Sequence, residues 1–132
     1  MRSSESHGKR ELRILVIDDE KVVRDFLAKF LELEGAYVVL AKDGAEALAL
    51  ARQEEFDSVF MEINMPGMDG IQALRELKKI QPSATYVMMS GNHTDTRIDE
   101  AISEGAAWCF KKPFDLEEIH SHLQKVRDSR GC

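Results

Sequence analysis

Four short stretches of this sequence carry side chains that could do chemistry, and each closes an apolar run. Asp18-Asp19-Glu20 follows Leu12-Arg-Ile-Leu-Val-Ile17, and Glu62 follows Ser58-Val-Phe-Met61. Ser90-Gly91 ends the run through Tyr86–Met89, and Lys111-Lys112-Pro113 follows Ala106–Phe110. Brought together, Asp18, Asp19 and Glu62 would repel one another unless a cation sat among them. A hard divalent ion meets that need, and Mg²⁺ suits best, because it takes one or two carboxylates, keeps several waters and accepts a phosphate oxygen. Ser90 and Lys112 would complete an oxygen-rich phosphoryl site, since cations and hydroxyl donors stabilise developing phosphoryl charge. Taken singly, each feature has a plainer role: Asp19 as a helix cap, Ser90 as a turn former, Lys112-Pro113 as a loop. Four of them at the ends of four different apolar runs favour a shared site.

The elements that would position these groups alternate regularly. Apolar runs at 12–17, 37–41, 58–61, 86–89 and 106–110 have the length and composition of buried strands. Each is followed by a helical period: Val23, Phe26, Phe30 and Leu33; Ala47, Leu48 and Ala51; Ile71, Leu74 and Leu77; Ile98, Ala101 and Ile102; Leu116, Ile119, Leu123 and Val126. Asp43 with Glu46, and Asp115 with Glu118, have capping-box spacing. Gly35 and Gly105 fall where helices should stop, and Pro66-Gly67 with Gly70 marks a turn after the third strand. Five βα units in series predict an α/β fold, a doubly wound five-stranded parallel sheet with helices on both faces. In such sheets reactive groups collect beyond the carboxyl ends of the strands, where all four stretches lie.

The chain has 132 residues, with 18 Lys+Arg against 24 Asp+Glu and a net charge of −6. That length suits one domain, and the acidic balance argues against a nucleic-acid binder. No apolar run is long enough to span a bilayer, and no secretory segment opens the chain, so no membrane partner is expected and a cytoplasmic location is. Cys109 and Cys132 do not make a disulfide framework and suit a reducing compartment. The domain is expected over residues 12–127, between a flexible arm at 1–11 and an unanchored tail at 128–132. His7, His93, His120 and His122 are not spaced as metal ligands, and the last two are expected at the surface of the final helix.

Ile14-Leu-Val-Ile-Asp-Asp-Glu20, Ile63-Asn-Met-Pro-Gly-Met-Asp-Gly70, Met89-Ser-Gly91 and Lys112-Pro-Phe114 together closely resemble the receiver domain of bacterial two-component response regulators. The resemblance covers about residues 12 to 127 and implies the (βα)5 flavodoxin-like receiver fold. It implies a signalling module in phosphorelay signal transduction, not an enzyme, to which a sensor histidine kinase or histidine phosphotransfer protein donates a phosphoryl group. It also implies that Asp19 is a direct Mg²⁺ ligand, Asp18 a second acidic partner acting through water, and the backbone carbonyl of Asn64 a further ligand. Ser90 resembles the switch hydroxyl and Lys112 the lysine that pairs with the phosphoryl group, followed by a cis bond to Pro113. Lys111 is only a neighbour. Signalling would pass by protein–protein contact to an unspecified output domain or effector. A homodimer through the face of the fourth helix, fifth strand and fifth helix is a further expected partner.

Two positions depart from the family pattern. Glu62 stands where the acceptor aspartate, also a metal ligand, would be, and Cys109 replaces the aromatic switch residue. Glutamate is longer by one methylene and carries less charge than a phosphoryl group, so it is a partial phosphomimetic and a poor acceptor. Asp57 lies roughly 16 Å away at the other end of the strand and cannot substitute for it; Asp69 lies beyond the loop turn. Cys109 reads as a small core hydrophobe. Three alternatives compete: a dehalogenase-type Mg²⁺-dependent phosphotransfer enzyme, a flavin-binding module, and a receiver-like binding module independent of phosphorylation. The first needs two aspartates two residues apart on the first strand, whereas Asp18 and Asp19 are adjacent. The second needs a Ser/Thr/Gly-rich phosphate loop where this chain has Asp-Asp-Glu-Lys-Val.

Overall fold

Alternation along the strands decides which helices cover which face. In the computed structural model, which describes residues 10–91 and 96–132, the strands are β1 (Arg13–Ile17), β2 (Tyr37–Ala41), β3 (Ser58–Glu62), β4 (Thr85–Ser90) and β5 (Trp108–Lys111). The helices are α1 (Lys21–Leu33), α2 (Gly44–Ala51), α3 (Gly70–Ile80), α4 (Arg97–Ser103) and α5 (Leu116–Arg130). All strand pairs are parallel, in the order β2-β1-β3-β4-β5. Ile14, Val16 and Phe60 face α1 and α5, packing with Leu27, Leu31, Ile119, Leu123 and Val126. Leu15, Ile17, Val59 and Met61 face the other way, against Ala47, Leu74, Leu77 and Ala101 of α2, α3 and α4. This is the doubly wound five-stranded sheet the pattern predicts, and its order reverses between β1 and β3, whose carboxyl ends carry Asp18 and Glu62.

Gly70 brings α3 close to the site. A Cβ there would stand 2.3 Å from the Glu62 carbonyl oxygen and 2.7 Å from Ile63 Cα, so only glycine lets the helix begin against the end of β3. The Asp69 side chain caps that helix by accepting from the Gln72 N–H at 2.9 Å.

Four expectations are corrected. Phe26 and Leu33 do not face the core: they are 46% and 80% exposed, and the buried face of α1 carries Leu27 and Leu31. Two apolar stripes overlap in this helix, and Phe26 instead stacks on Phe114 at 6.4 Å. Residues 128–130 are not a loose tail but the last part of α5, which ends where Gly131 adopts a left-handed φ of 71°. Arg130 donates to the Ser83 carbonyl and lies 3.6 Å from Asp57, ties that an apolar period ending at Val126 does not register. Arg10, assigned to the arm, holds Asp57 with two hydrogen bonds of 2.6 and 2.8 Å. Finally, His122 turns inward between Phe60 and Phe110, while His120 stays at the surface beside Glu34. His7, His93 and residues 1–9 of the arm lie outside the described residues.

The capping boxes form in part. Asp43 accepts from the Glu46 N–H, but Glu46 reaches the Lys42 N–H. Asp115 caps α5, and Glu118 takes the Trp108 indole N–H instead. Gly35 and Gly105 have φ of 91° and 112°, as their helix-ending positions require.

Candidate functional site: an acidic pocket with an internal ammonium

Because β1 and β3 are hydrogen-bonded neighbours with Ile17 level with Met61, the next residue on each strand, Asp18 and Glu62, is brought to one point on the sheet edge. β4 ends beside them at Ser90, and β5 leads into Lys112. Asp18 and Ser90 are fully buried, Glu62 is 5% exposed, and Asp19 is exposed. The two acids that are adjacent in sequence therefore occupy different environments. Asn64 is exposed at the pocket rim, and its side-chain oxygen accepts from Arg97 at 2.7 Å.

Lys112 is the centre of this site. Its ammonium donates to Asp18 Oδ2 at 2.9 Å and to Glu62 Oε1 at 2.5 Å, and it lies 3.6 Å from Glu20. The remaining carboxylate oxygens also have partners. Asp18 Oδ1 accepts from the Glu20 N–H at 2.9 Å, and Glu62 Oε2 accepts from the Asn64 N–H at 3.0 Å. Burial alone would push the Lys112 ammonium down, but its hydrogen bonds to Glu62 and Asp18 outweigh that and hold its pKa above the ordinary 10.5. The peptide bond from Lys112 to Pro113 is cis. The Lys112 N–H donates to the Ser90 carbonyl at 2.9 Å, which ties the lysine to β4.

The site can hold two negative side chains dry because a protein cation lies between them. Among the described residues, no group of three or more His, Cys, Asp or Glu side chains is placed to hold a metal ion. Asp57 is remote from this pocket, with Arg10 and the Arg13 N–H on its carboxylate, and Asp69 is an α3 cap paired with Arg97 at 3.1 Å. Cys109 is buried in the core, and its neighbour Trp108 is 51% exposed. Sequence reasoning missed Arg24, which donates to the Asp18 carbonyl at 2.8 Å, and Arg97, which links Asn64 to Asp69. Arg24 stands six residues after Asp18, a spacing that one turn of α1 brings back over the strand end; Arg97 gives no local signal.

Comparison with known proteins bears on the family and the fold. The family model described as response regulator receiver domain matches residues 14–124. The chain is 33% identical over 113 residues to sporulation initiation phosphotransferase F of Bacillus subtilis, covering 86% of this chain and 91% of that one. It is 32% identical over 115 residues to response regulator MprA of Mycolicibacterium vanbaalenii, covering 87% of this chain but 50% of MprA. The chain thus spans about half the length of that relative. Among solved structures, chemotaxis protein CheY4 of Vibrio cholerae matches with a TM-score of 0.82 at 28% identity, covering 89% and 99% of the two chains. A Burkholderia pseudomallei response regulator, solved with a phosphorylated aspartic acid, calcium ion and citrate, matches with a TM-score of 0.77 at 29% identity, covering 87% and 72%. No helix among the described residues is long and apolar enough to cross a membrane.

Proposed function

Since the chain belongs to the response regulator receiver domain family, we propose that it is a phosphorelay signalling module whose acceptor position, Glu62, is closed to ordinary phosphoryl transfer. The observation that carries this is that the Glu62 carboxylate is held at both oxygens, one by Lys112 and the other by the Asn64 N–H. An acceptor drawn onto the lysine that should pair with the incoming phosphoryl group is held out of position for in-line attack. A displacement of about an ångström is enough to cost roughly a hundredfold in rate. The pocket stays in one charge state, and the module signals by protein–protein contact, as a cytoplasmic partner of a histidine kinase or histidine phosphotransfer protein. The receiver unit extends from Arg10, which holds Asp57, to the end of α5 at Arg130, and the remaining expected partners are an output domain or effector and a second copy through α4, β5 and α5.

The donor set suits Mg²⁺ chemically: Asp18, Asp19 and Glu62 carboxylates with the Asn64 carbonyl are hard oxygen ligands. When bound, the ion would supply positive charge to phosphoryl oxygens. In this chain it must compete with the Lys112 ammonium, which already neutralises two of those carboxylates, so Mg²⁺ is held weakly. The calcium in the Burkholderia relative supports a divalent ion as a ligand class for the family.

Incubation with a small phosphodonor and Mg²⁺, followed by intact-mass analysis, is expected to leave the chain unmodified. Stoichiometric acid-labile phosphate on Glu62 would overturn the proposal.

A further inference from the structure

The alternation that sends Phe60 towards α5 sends Ser58 the same way, and Ser58 is the buried uncharged polar residue of β3. It meets His122, whose Nε2 lies 3.0 Å from Ser58 Oγ. The imidazole stands edge-on to Phe60, with ring centres 5.6 Å apart at 76°, and to Phe110, at 5.7 Å and 78°. Those two phenyl rings stack on each other at 5.6 Å. One side chain of α5 thus bridges β3 and β5 through an aromatic box. A cavity of about 370 Å³, lined by Trp108, Glu118 and Lys125 among others, opens beside it.

The box suits a neutral imidazole and not an imidazolium. β3 contributes Ser58 and Phe60, and β5 contributes Phe110 and Trp108; none of these is a carboxylate. From α5 itself come Glu118, which takes the Trp108 indole N–H at 3.2 Å, and Lys125, which repels a second positive charge. No carboxylate is paired with His122 among the described residues. Burial, with Lys125 adding to it, pushes His122 down to about 4 from its ordinary 6.5.

We propose that the His122–Ser58 contact is an acid-sensitive latch: the neutral imidazole docks α5 on β3 and β5, and protonation expels it and frees α5 from the sheet. The helix carries Ile119, Leu123 and Val126 out of the core with it, and its first turn is joined to Lys112-Pro113 by only Phe114 and the cap Asp115, so release also loosens the loop that presents Lys112. The latch is independent of whether Glu62 accepts a phosphoryl group.

The sign follows from linkage. A histidine whose folded pKa is depressed stabilises fully above 6.5 and loses that contribution as pH falls from 6.5 through about 4. Hydrogen exchange of the intact chain between pH 7.5 and 4.5, corrected for intrinsic rates, should show α5 protection falling by up to about tenfold per pH unit below 6.5. β1 and β3 should keep their protection over that range. His122→Leu should abolish the slope, and Glu118→Gln should leave it in place. Should the leucine variant not fold, NMR titration of the unmodified chain decides alone: His122 should titrate well below 6.5. Titration near 6.5, loss of sheet and α5 protection together, or an unchanged slope in His122→Leu would each overturn the latch.

Discussion

Replacing Lys112 with methionine is expected to lower the unfolding free energy by about 3–5 kcal/mol at neutral pH, the cost of leaving buried charge without its partner. Asp18 is fully buried and the Glu62 side chain 7% exposed, so neither carboxylate can recover the lost ammonium by turning to water. They would also face each other across the vacated space and repel. Chemical denaturation of the purified variant measures the loss. Millimolar Mg²⁺ should restore part of it, roughly 1–3 kcal/mol where the ion is 10–100 times its dissociation constant, because a divalent ion can take the place the ammonium leaves. The unmodified chain should gain far less from the same addition. Its bridge should also withstand alkali: Lys112 has a folded pKa raised above 10.5, so its stabilisation is complete below 10.5 and fades only as pH rises beyond that value. A variant of ordinary stability with no response to Mg²⁺ would show that Lys112 is not the internal cation of the pocket.

Glu62→Asp should have the opposite character, opening chemistry instead of removing stability. Shortening the side chain by one methylene draws the carboxylate back from Lys112 and from the Asn64 N–H, the two partners that hold it. The lysine is then available to an incoming phosphoryl group, and the aspartate to a metal ion. Labelling by a small phosphodonor in Mg²⁺ is expected to rise by about a hundredfold or more, the order associated with restoring a misplaced reactive group. Mg²⁺ affinity, followed by calorimetry, should rise with it. If the aspartate variant labels no faster than the unmodified chain, the methylene is not what closes the site.

Much of this architecture is legible in the sequence, because a parallel sheet buried on both faces announces each strand as a short apolar run. The positions of Asp18, Glu62, Ser90 and Lys112 follow from the same property, since each terminates such a run and the topology carries all four to one edge. What sequence cannot display is which partner satisfies which group. Asp18 and Asp19 look equivalent as neighbours, yet one is sealed against Lys112 and the other faces solvent. Lys112 reads as a group awaiting a phosphoryl partner, whereas it already bridges two carboxylates 50 and 94 positions away. Helix periodicity fails where two stripes overlap, as at Phe26 against Leu27, because the choice belongs to the surface opposite. His122 is missed because a histidine in a polar helix gives no sign of the Ser58 and Phe110 that enclose it.

The proposed closure of the acceptor position is tested most directly by ¹⁹F NMR of beryllofluoride in the presence of Mg²⁺, recorded on the unmodified chain and on Glu62→Asp side by side. Beryllofluoride needs a carboxylate oxygen free to complete its tetrahedron and a cation to meet its fluorines. Slowly exchanging protein-bound resonances should appear with the aspartate variant alone, while the unmodified chain shows only free species. Equal bound signals from both proteins would mean that Glu62 is open despite Lys112 and the Asn64 N–H, and that the pocket is not closed.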